Sequence, residues 1–355
     1  MINIKYPVTY GISMVKVSIV KCEDYSKVKN AIKQSLDLIG GLGRVIKPDD
    51  RVLLKVNLLM AKKPEYAVTT HPSVVKAVIQ LVKEEGGIVF VGDSAGGTGL
   101  TDKAFIVSGI KNVAEQENVE LLNFEKTETY RIKGLNIAKP LLDSDVVISL
   151  PKLKTHTFTF FTGAVKNLFG AVPGKQKSRL HSKYPKLDDF SNMLLNIYSA
   201  VKPKLGIMDG ILGMEGDGPS NGEVIRSNVI ISSFDCVSLD YVSSAMIGYN
   251  PMGIATTRLA SERKLGETEN IEIAGEKIEN VKINFKKPVS EDAKEKVIPV
   301  VDKNKCSQCL TCVNICPVNA INAVNNNITF NRMKCVKCYC CSELCPNGAI
   351  GLVKV

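Results

Sequence analysis

Cysteines near the carboxyl end of this 355-residue chain form two strings with the same spacing. In each string three cysteines are three residues apart, a fourth follows four residues later, and a proline comes directly after it. The strings are Cys306, Cys309, Cys312 and Cys316, and then Cys335, Cys338, Cys341 and Cys345. A 4Fe–4S cluster takes four thiolate ligands, and strings with this spacing supply them. The sequence therefore predicts two 4Fe–4S clusters.

Each cluster is expected to take ligands from both cysteine strings. In two-cluster chains the fourth cysteine of each string ligates the other cluster. One predicted ligand set is Cys306, Cys309, Cys312 and Cys345, and the other is Cys316, Cys335, Cys338 and Cys341. Zinc ribbons and disulfides are the alternatives, but zinc sites usually pair two short Cys-x-x-Cys knuckles without a third evenly spaced cysteine. Cys340 is off the spacing and is interpreted as a packing residue.

A second group of reactive side chains lies in and just after the stretch 151–174, which has neither helical nor strand periodicity. The candidates are Lys152, Lys154 and Lys166, for binding an anionic substrate, and His156 and His181, for proton transfer. Histidine exchanges protons near neutral pH, and a lysine buried in apolar surroundings has a lowered pKa and can act as base or nucleophile. We expect one pocket lined by His156, Lys166 and His181. A surface loop with structural polar contacts is the alternative.

Two glycine-rich segments follow predicted strands, where ligands of α/β sheets collect. In the first, 92–99, Asp93 and Ser94 are candidates for binding a cofactor, because free amides there can hold a phosphate or carboxylate. In the second, 209–222, Asp209 is the candidate, as a cation ligand or an acid–base group. A plain turn is the alternative for both segments.

The first 280 residues alternate between apolar runs and helical patterns. The predicted strands are 14–20, 51–59, 87–91, 119–124, 145–150, 204–208 and 227–232, and the predicted helices are 26–39, 72–85, 190–201 and 237–246. Strands that are apolar almost throughout are typical of a parallel sheet buried on both faces. The alternation predicts an α/β fold with a largely parallel sheet flanked by helices.

Four segments are predicted along the chain. They are an N-terminal extension at 1–13, an α/β domain at 14–285, a charged linker at 286–299 and a small α+β domain at 300–355. Charged segments of this kind are typical of exposed connections. The small domain is an internal duplication, since equivalent cysteines of the two strings are 29 residues apart.

The formal net charge of +10 does not predict a nucleic-acid partner. From residue 296 onward there are seven Lys or Arg and two Asp or Glu, and two ligated clusters add about −2 each. The rest of the chain has no Arg-rich helix or aromatic-interleaved basic patch. No apolar run reaches the length of a membrane span, so no membrane is expected. Thiol-ligated clusters without a secretory leader indicate the cytoplasm.

These motifs resemble the domain-of-unknown-function 362 family, fused to a bacterial-type ferredoxin domain with two 4Fe–4S clusters. The resemblance is carried by Lys55-Val-Asn57, Gly92-Asp-Ser94, Pro151-Lys-Leu-Lys-Thr-His156, Gly163-Ala-Val-Lys-Asn167 and Asp209-Gly210. It extends from Met14 to the C-terminus and implies the α/β fold. The family has no established reaction, so the resemblance implies none.

A more distant similarity is to the nickel-pincer lactate racemase family. The shared order is a histidine, a small-Gly-x-Lys string, Pro-Gly and a second histidine, here His156, Lys166, Pro173-Gly174 and His181. In that family the lysine carries a pyridinium-derived cofactor, the downstream histidine ligates nickel and the upstream histidine is an acid–base group. The resemblance implies these roles for Lys166, His181 and His156, with His71 as a second acid–base group.

The leading hypothesis is an iron–sulfur oxidoreductase. Its two clusters exchange electrons between an external low-potential donor or acceptor and a small anionic substrate in the α/β domain. One alternative is an electron carrier without a substrate of its own, and another is a lactate-racemase-like isomerase with structural clusters. A further organic cofactor or metal in the α/β domain and the oligomeric state are left open.

Overall fold

The computed structural model describes residues 14–290, 297–325 and 327–355. Strands of the α/β body are β1 (Val15–Lys21), β2 (Arg51–Val56), β3 (Ile88–Asp93), β4 (Glu120–Asn123), β5 (Thr129–Ile132), β6 (Leu135–Ala138), β7 (Val146–Leu150), β8 (Lys152–His156), β9 (Phe160–Phe161), β10 (Leu205–Glu215), β11 (Glu223–Ser233) and β12 (Ile271–Gly275). Its helices are α1 (Val28–Ile39), α2 (Pro72–Glu84), α3 (Thr101–Val107), α4 (Ile110–Gln116), α5 (Lys139–Leu142), α6 (Gly163–Asn167), α7 (Gln176–Lys183), α8 (Leu187–Val201), α9 (Cys236–Met246), α10 (Ala255–Glu262) and α11 (Ile278–Val281).

One large sheet forms the centre of the body, in the order β12-β1-β11-β10-β7-β2-β3-β4. Strands β10, β7, β2, β3 and β4 are mutually parallel, and β11 lies antiparallel between β10 and β1. The predicted α/β fold with a largely parallel sheet is therefore confirmed. The carboxyl ends of β2, β3 and β7 meet at one edge, where side chains from different strands can form a common site.

Both faces of the sheet are covered. Leu53 and Leu54 are neighbours in β2, and each is fully buried in a different hydrophobic cluster, because successive strand side chains point to opposite faces. Helices α1, α2 and α4 pack on one face, and α6, α8 and α9 pack on the other. This double burial explains why the strands are apolar almost throughout. No helix in the described ranges is both long and apolar enough to cross a membrane.

The cysteine-rich segment is a small α+β unit. Its elements are β13 (Val297–Val301), α12 (Thr311–Ile315), β14 (Ile321–Val324), β15 (Asn327–Phe330), α13 (Cys340–Glu343) and β16 (Ile350–Lys354). Strand β13 pairs antiparallel with β16, and β14 pairs antiparallel with β15. Each cysteine string therefore contributes one short helix and is flanked by strand pairs.

The cysteine-rich segment packs directly against the body. Asn221 Nδ2 donates a hydrogen bond to the Ser342 carbonyl at 2.8 Å, and Lys62 Nζ donates to the Pro346 carbonyl at 2.8 Å. Gly96 makes room for this contact, because a Cβ there would lie 2.6 Å from the side chain of Leu344. Both glycine-rich segments of the body thus contribute to holding the cysteine-rich segment.

The predicted linker differs from the structure at both ends. Ser290 is fully buried and donates a hydrogen bond to the Thr157 carbonyl, and Val289 N donates to Asp217 Oδ1 at 2.8 Å. Residues 286–290 thus adhere to the body, and residues 297–299 already belong to β13. The rest of the predicted linker, 291–296, and the predicted N-terminal extension, 1–13, lie outside the described residues.

Two further predictions of local structure were wrong. The stretch 151–174 contains β8, β9 and α6, and β8 lacks an alternating pattern because all five of its residues are buried, including Lys152 and Lys154. Asp209 was expected in a loop, but β10 continues through it to Glu215 because it pairs with β11 along this length. The lysines and Asp209 are therefore core residues.

Candidate functional site

The structure arranges the eight string cysteines around two separate cavities. One is lined by Cys306, Cys309, Cys312 and Cys345. The other is lined by Cys316, Cys335, Cys338 and Cys341. These are the two mixed sets expected from the spacing, and in each set one cysteine comes from the other string. We call them the first and the second cysteine cavity.

The loops around the two cavities repeat the same backbone turns. Left-handed φ angles occur two and four residues after the first cysteine of each string, at 57° and 58° for Gln308 and Leu310 and at 52° and 60° for Lys337 and Tyr339. Left-handed residues next to right-handed ones turn successive amides toward one side, which suits iron–sulfur groups. Non-glycine residues adopt this conformation rarely, so its repetition indicates a shared geometric demand.

The chemistry of both cavities fits a 4Fe–4S cluster. Ala320 N donates a hydrogen bond to Cys316 Sγ and Ala349 N donates to Cys345 Sγ, each at 3.2 Å, so both fourth cysteines carry the same amide contact. Within the described ranges, no three His, Cys, Asp or Glu side chains converge as ligands of a single ion do. Four sulfur atoms spread around each cavity instead match the ligand set of a cube.

A third cavity lies where the body meets the cysteine-rich segment, and we call it the interface cavity. It has a volume of about 70 Å³. The body contributes Asn57, Asp93, Ser94, Lys154, Thr162, Lys166, Asn167, Lys177 and His181, and the cysteine-rich segment contributes Cys340, Glu343 and Leu344. Of the predicted residues, the structure therefore brings Lys154, Lys166, His181, Asp93 and Ser94 together.

A buried ion pair forms the floor of the interface cavity. Lys55 Nζ lies 2.7 Å from Asp93 Oδ1, and both side chains are buried. Burial lowers the pKa of Lys55 and raises the pKa of Asp93, and their mutual attraction opposes both shifts. Gly170 must be glycine here, because a Cβ would lie 2.0 Å from Asp93 Oδ1. Asp93 is thus occupied by Lys55 and does not hold a cation.

Lys177 ties helix α7 to the loop after β3. Its Nζ donates to the carbonyls of Ser94 and Ala95 at 2.9 and 2.6 Å, and to Ser94 Oγ at 2.6 Å. Burial lowers the pKa of Lys177 to about 7. His181 lies one helical turn later on the same face, which explains why both line the cavity.

Lys154 and Lys166 give the cavity its charge. Lys154 Nζ donates to the carbonyl of Val68 at 2.6 Å, and burial, with Lys166 nearby, holds its pKa well below the usual range. Burial also lowers the pKa of Lys166 to about 8, against the attraction of Glu343 and Cys340. Perturbed lysines of this kind are typical of functional sites, although structural networks also produce them.

Glu343 is an acid that reaches the cavity from the cysteine-rich segment. It lies on α13 between Cys341 and Cys345, and burial raises its pKa to about 7, against the attraction of Lys166 and Lys154. Its Oε1 is 3.5 Å from His156 Nε2. The single acidic side chain of this helix therefore faces the body's cationic groups rather than water.

His156 does not line the cavity. It is a neighbour of Glu343, which does. Its Nδ1 accepts hydrogen bonds from Phe158 N at 3.0 Å and Thr159 N at 3.3 Å, so the neutral ring carries its proton on Nε2. Burial holds the pKa of His156 well below its usual range. The predicted proton shuttle therefore favours the neutral form, and its Nε2 has no hydrogen-bond partner among the described residues.

His181 is also neutral near pH 7, because burial and nearby Lys166 lower its pKa to about 3. Its ring stacks on Phe190 at 4.5 Å and meets the edge of Phe169 at 5.6 Å. His181 and Lys166 both line the cavity, and the other contacts of the His181 ring are aromatic.

Several polar atoms that line the cavity have no hydrogen-bond partner among the described residues. They are Asn57 Oδ1, Thr162 Oγ1, Asn167 Oδ1, His181 Nδ1 and Glu343 Oε1. Each buried polar group left without a partner costs about 1–3 kcal/mol. Their convergence indicates that the cavity holds a polar ligand or water.

The remaining predicted site residues form a separate buried network. Lys152 Nζ lies 2.9 Å from Asp209 Oδ2, and Tyr25 OH contacts both at 2.9 and 3.0 Å. His71 N donates to Asp209 Oδ2 at 2.9 Å, and its ring stacks on Tyr25 at 3.5 Å. The positive charge of Lys152 is paired with the negative charge of Asp209. None of these residues lines the interface cavity. Lys152 and His71, which were expected beside Lys166 or His156, and Asp209, the candidate of the second glycine-rich segment, therefore lie apart from the interface cavity.

Asp240 positions the turn that carries Lys166. Its two carboxylate oxygens accept hydrogen bonds from Ala164 N at 2.6 Å and Val165 N at 3.0 Å, at the start of α6. Gly163 packs against this carboxylate, since a Cβ there would lie 2.4 Å from Asp240 Oδ2. Asn167, at the other end of α6, donates to the Lys55 carbonyl at 3.1 Å. Helix α6 is therefore fixed at both ends.

Sequence reasoning missed several residues of the cavity. They are Asn57, Lys177, Cys340 and Glu343. Lys177 could have been found from its position four residues before His181 in a helical pattern. Cys340 was interpreted as a packing residue, and although it is buried it also faces the cavity. No local signal pointed to Glu343, because its role depends on how distant segments pack.

Comparison with known proteins gives a family for most of the body. Residues 52–245 match the model described as domain of unknown function (DUF362), and residues 299–322 match the 4Fe-4S binding domain. The second match covers the first cysteine string and supports an iron–sulfur electron-transfer role. The thylakoid-associated protein sll1697 of Synechocystis is 36% identical over 264 residues, covering 71% of this chain and 80% of that protein.

Among solved structures, a weak similarity is found to the lactate racemase apoprotein from Thermoanaerobacterium thermosaccharolyticum. The TM-score is 0.43 at 10% sequence identity, and the match covers 68% of this chain. The chain spans 59% of the length of that structure.

Proposed function

This chain belongs to the domain of unknown function 362 (DUF362) family, and we propose that it is an iron–sulfur oxidoreductase acting on a small anion. Each cysteine cavity holds one 4Fe–4S cluster, which stores one electron when reduced. Two clusters supply the two electrons of a two-electron reduction. The remaining tasks, which are binding the anion and supplying protons, belong to the interface cavity.

The composition of the interface cavity carries the proposal. Its walls combine buried lysines of the body with α13, the helix that contains the cysteine ligand Cys341. A substrate in this cavity lies beside the second cysteine cavity, because Cys340 and Cys341 are adjacent in the chain. A cluster held by the second cysteine cavity would therefore have a short route for electrons to a substrate in the interface cavity.

The charges of the cavity favour an anion. Three lysines line it, and of its two carboxyl groups Asp93 is already paired with Lys55. Lys154 and Lys166 are left to share Glu343, so an added negative charge relieves their mutual repulsion. Asn57 and Asn167 present unpartnered oxygen atoms, which orient a ligand that also carries hydrogen-bond donors.

Protons for the reduction come from Lys166. The pKa of Lys166 is lowered to about 8, so it exchanges protons near neutral pH, and Glu343 is the buried carboxyl group beside it. His156 keeps its proton on Nε2, which lies 3.5 Å from Glu343 Oε1. A substrate reduced here would gain two electrons, which bound clusters would supply, and two protons.

A reoxidation assay tests this function. Protein with reduced clusters is mixed anaerobically with small carboxylates and oxyanions, and the visible absorbance of oxidised clusters is followed. One anion is expected to restore the absorbance and to appear as its two-electron reduced product. Lys166→Met should abolish reoxidation, whereas Lys175→Met, which changes an exposed lysine of the same region, should leave it unchanged.

Other outcomes favour the alternatives. Reoxidation at the normal rate in Lys166→Met contradicts the assignment of the cavity. Rapid cluster reduction without reoxidation by any anion favours an electron carrier without a substrate. Stoichiometric nickel in the purified protein, with racemisation of a hydroxy acid, favours the isomerase. Because the described cysteines are free thiols, we also propose a reducing compartment, the cytoplasm.

A further inference from the structure

Equivalent residues of the two cysteine strings differ sharply in burial. Leu310 and Tyr339 each follow the second cysteine of their string and share the same left-handed backbone. Leu310 is 43% exposed, whereas Tyr339 is 3% exposed and packs into the core of the body. Cys309 is exposed as well, while Cys338 is partly covered. The first cysteine cavity therefore faces solvent, and the second faces the interface cavity.

The solvent-facing side of the first cysteine cavity has exposed lysines next to an uncharged rim. Lys303 and Lys305 are exposed and precede Cys306. The exposed residues that line the cavity are Ser307, Gln308, Cys309, Leu310 and Asn347. Residues 297–355 contain six Lys or Arg but two acids, Asp302 and Glu343. Glu343 is buried in the interface cavity, so Asp302, which lies 3.6 Å from Lys305 Nζ, is the acid left on this side.

We propose that the surface formed by Lys303, Lys305, Cys309 and Leu310 docks an acidic electron-transfer protein. The inference rests on the proposed function, to which it adds the entry point of electrons and the charge of the partner. Leu310 supplies an apolar contact, and the two lysines steer an acidic surface toward it. One electron passes from the reduced partner to the cluster in the first cavity, so the partner is oxidised and the cluster reduced, with no atom transferred.

Reduction kinetics test the docking surface without any substrate. A reduced flavodoxin with an acidic surface is mixed anaerobically with the iron-loaded chain, and cluster bleaching is followed by stopped flow. The Lys303→Glu/Lys305→Glu protein should be reduced at least about tenfold more slowly at low ionic strength. The difference should shrink at high salt, where screening shortens the range of the charges.

The second string offers a matched control. Arg332 and Lys334 are exposed and hold the same positions before Cys335 that Lys303 and Lys305 hold before Cys306. Arg332→Glu/Lys334→Glu changes the net charge equally, and its reduction should slow less than about threefold. Excess dithionite should bleach both variants as fully as the parent protein, which verifies intact clusters. Equal slowing in the two variants, or none in Lys303→Glu/Lys305→Glu, overturns the proposal.

Cross-linking supplies a readout that is independent of electron transfer. A carbodiimide joins carboxylates of flavodoxin directly to lysine amines of the chain, and mass spectrometry locates the joined residues. Lys303 and Lys305 are the expected sites, and cross-links confined to lysines of the α/β body contradict the docking surface. No substrate is present in the reduction and cross-linking experiments, so a negative result there does not contradict the proposed role of the interface cavity. A negative result in the reoxidation assay likewise does not contradict the docking surface.

Discussion

Glu343 Oε1 lies 3.5 Å from His156 Nε2, which joins an acid of the cysteine-rich segment to a histidine of the α/β body. Glu343 is the last residue of α13 and the one charged side chain of that helix. In the sequence it lies midway between Cys341 and Cys345. The interface cavity is lined by residues of both the α/β body and the cysteine-rich segment. Its properties therefore respond to changes on either side.

Replacing the fourth cysteine of a string tests the mixed ligand sets. Cys345→Ser should remove the cluster of the first cavity, because Cys345 lines that cavity together with Cys306 and Cys309. Iron content should fall by about half, and electron paramagnetic resonance should show the same remaining signal as in Cys309→Ser. A signal that instead matches Cys338→Ser contradicts the mixed sets.

Anion binding should weaken as the pH rises through about 8. Burial lowers the pKa of Lys166 to about 8, so its charge is present below that pH and is lost above it. The groups around it are Lys154, Glu343, Cys340 and His181. If one proton is released per anion lost, the dissociation constant measured by titration should rise about tenfold per pH unit above pH 8.

The arginine variant is the control for this pH dependence. Lys166→Arg keeps its charge throughout the range, because a guanidinium does not lose its proton, so its binding curve should be flat above pH 8. A parent curve that is equally flat contradicts the assignment of the titrating group to Lys166.

Removing the Asp240 carboxylate should destabilise the protein. Asp240→Ala leaves Ala164 N and Val165 N without their acceptors inside the core, and we expect the free energy of unfolding to fall by about 2–5 kcal/mol. Urea unfolding of the anaerobic protein measures this loss. Asp143→Ala, at an exposed position, should stay within about 0.5 kcal/mol of the parent protein.

The stability of the parent protein should also depend on pH through Asp240. Burial raises its pKa to about 7, above the value of an unfolded aspartate, so the folded state favours the protonated carboxyl. This contribution is complete below about pH 4 and is lost as the pH rises toward 7. Urea unfolding at pH 5 and pH 8 should show the loss in the parent protein and a smaller one in Asp240→Ala.

A side chain at Gly96 should separate the cysteine-rich segment from the body. Gly96→Val directs methyl groups at Leu344, whose side chain would lie 2.6 Å from the new Cβ. Cys340 is buried in the parent protein, so its alkylation in the cluster-loaded chain should accelerate in the variant. Gly253→Val is the control, since a Cβ there meets only an atom at 3.8 Å. Unchanged alkylation in Gly96→Val contradicts the packing described.

Apolar patterning predicted the elements of the sheet well, because strands buried on both faces have few alternatives. The expected strand 51–59 and helix 72–85 correspond closely to Arg51–Val56 and Pro72–Glu84. Strand β8 was missed because its buried lysines do not look like core residues. Their burial depends on acceptors such as the Val68 carbonyl, which come from elsewhere in the chain.

The site was predicted where its residues are close in sequence. His156, Lys166 and His181 were expected to share one pocket; Lys166 and His181 line the interface cavity, and His156 does not. His71 was given an acid–base role through a family resemblance and Asp209 through its glycine-rich segment, and the structure places both in a buried network with Tyr25. Glu343 could not have been found, because spacing carries no information about which surfaces of two segments meet.

The position of α13 has a consequence for how the protein matures. Cys341, inside α13, lines the second cysteine cavity, and Cys345, two residues after the helix, lines the first, so α13 is connected to both cavities. A chain that has acquired only one cluster anchors this helix at one end, and we expect Glu343 to be poorly held there. If each cysteine cavity takes up a cluster as proposed, we expect the interface cavity to be complete only after both clusters are bound.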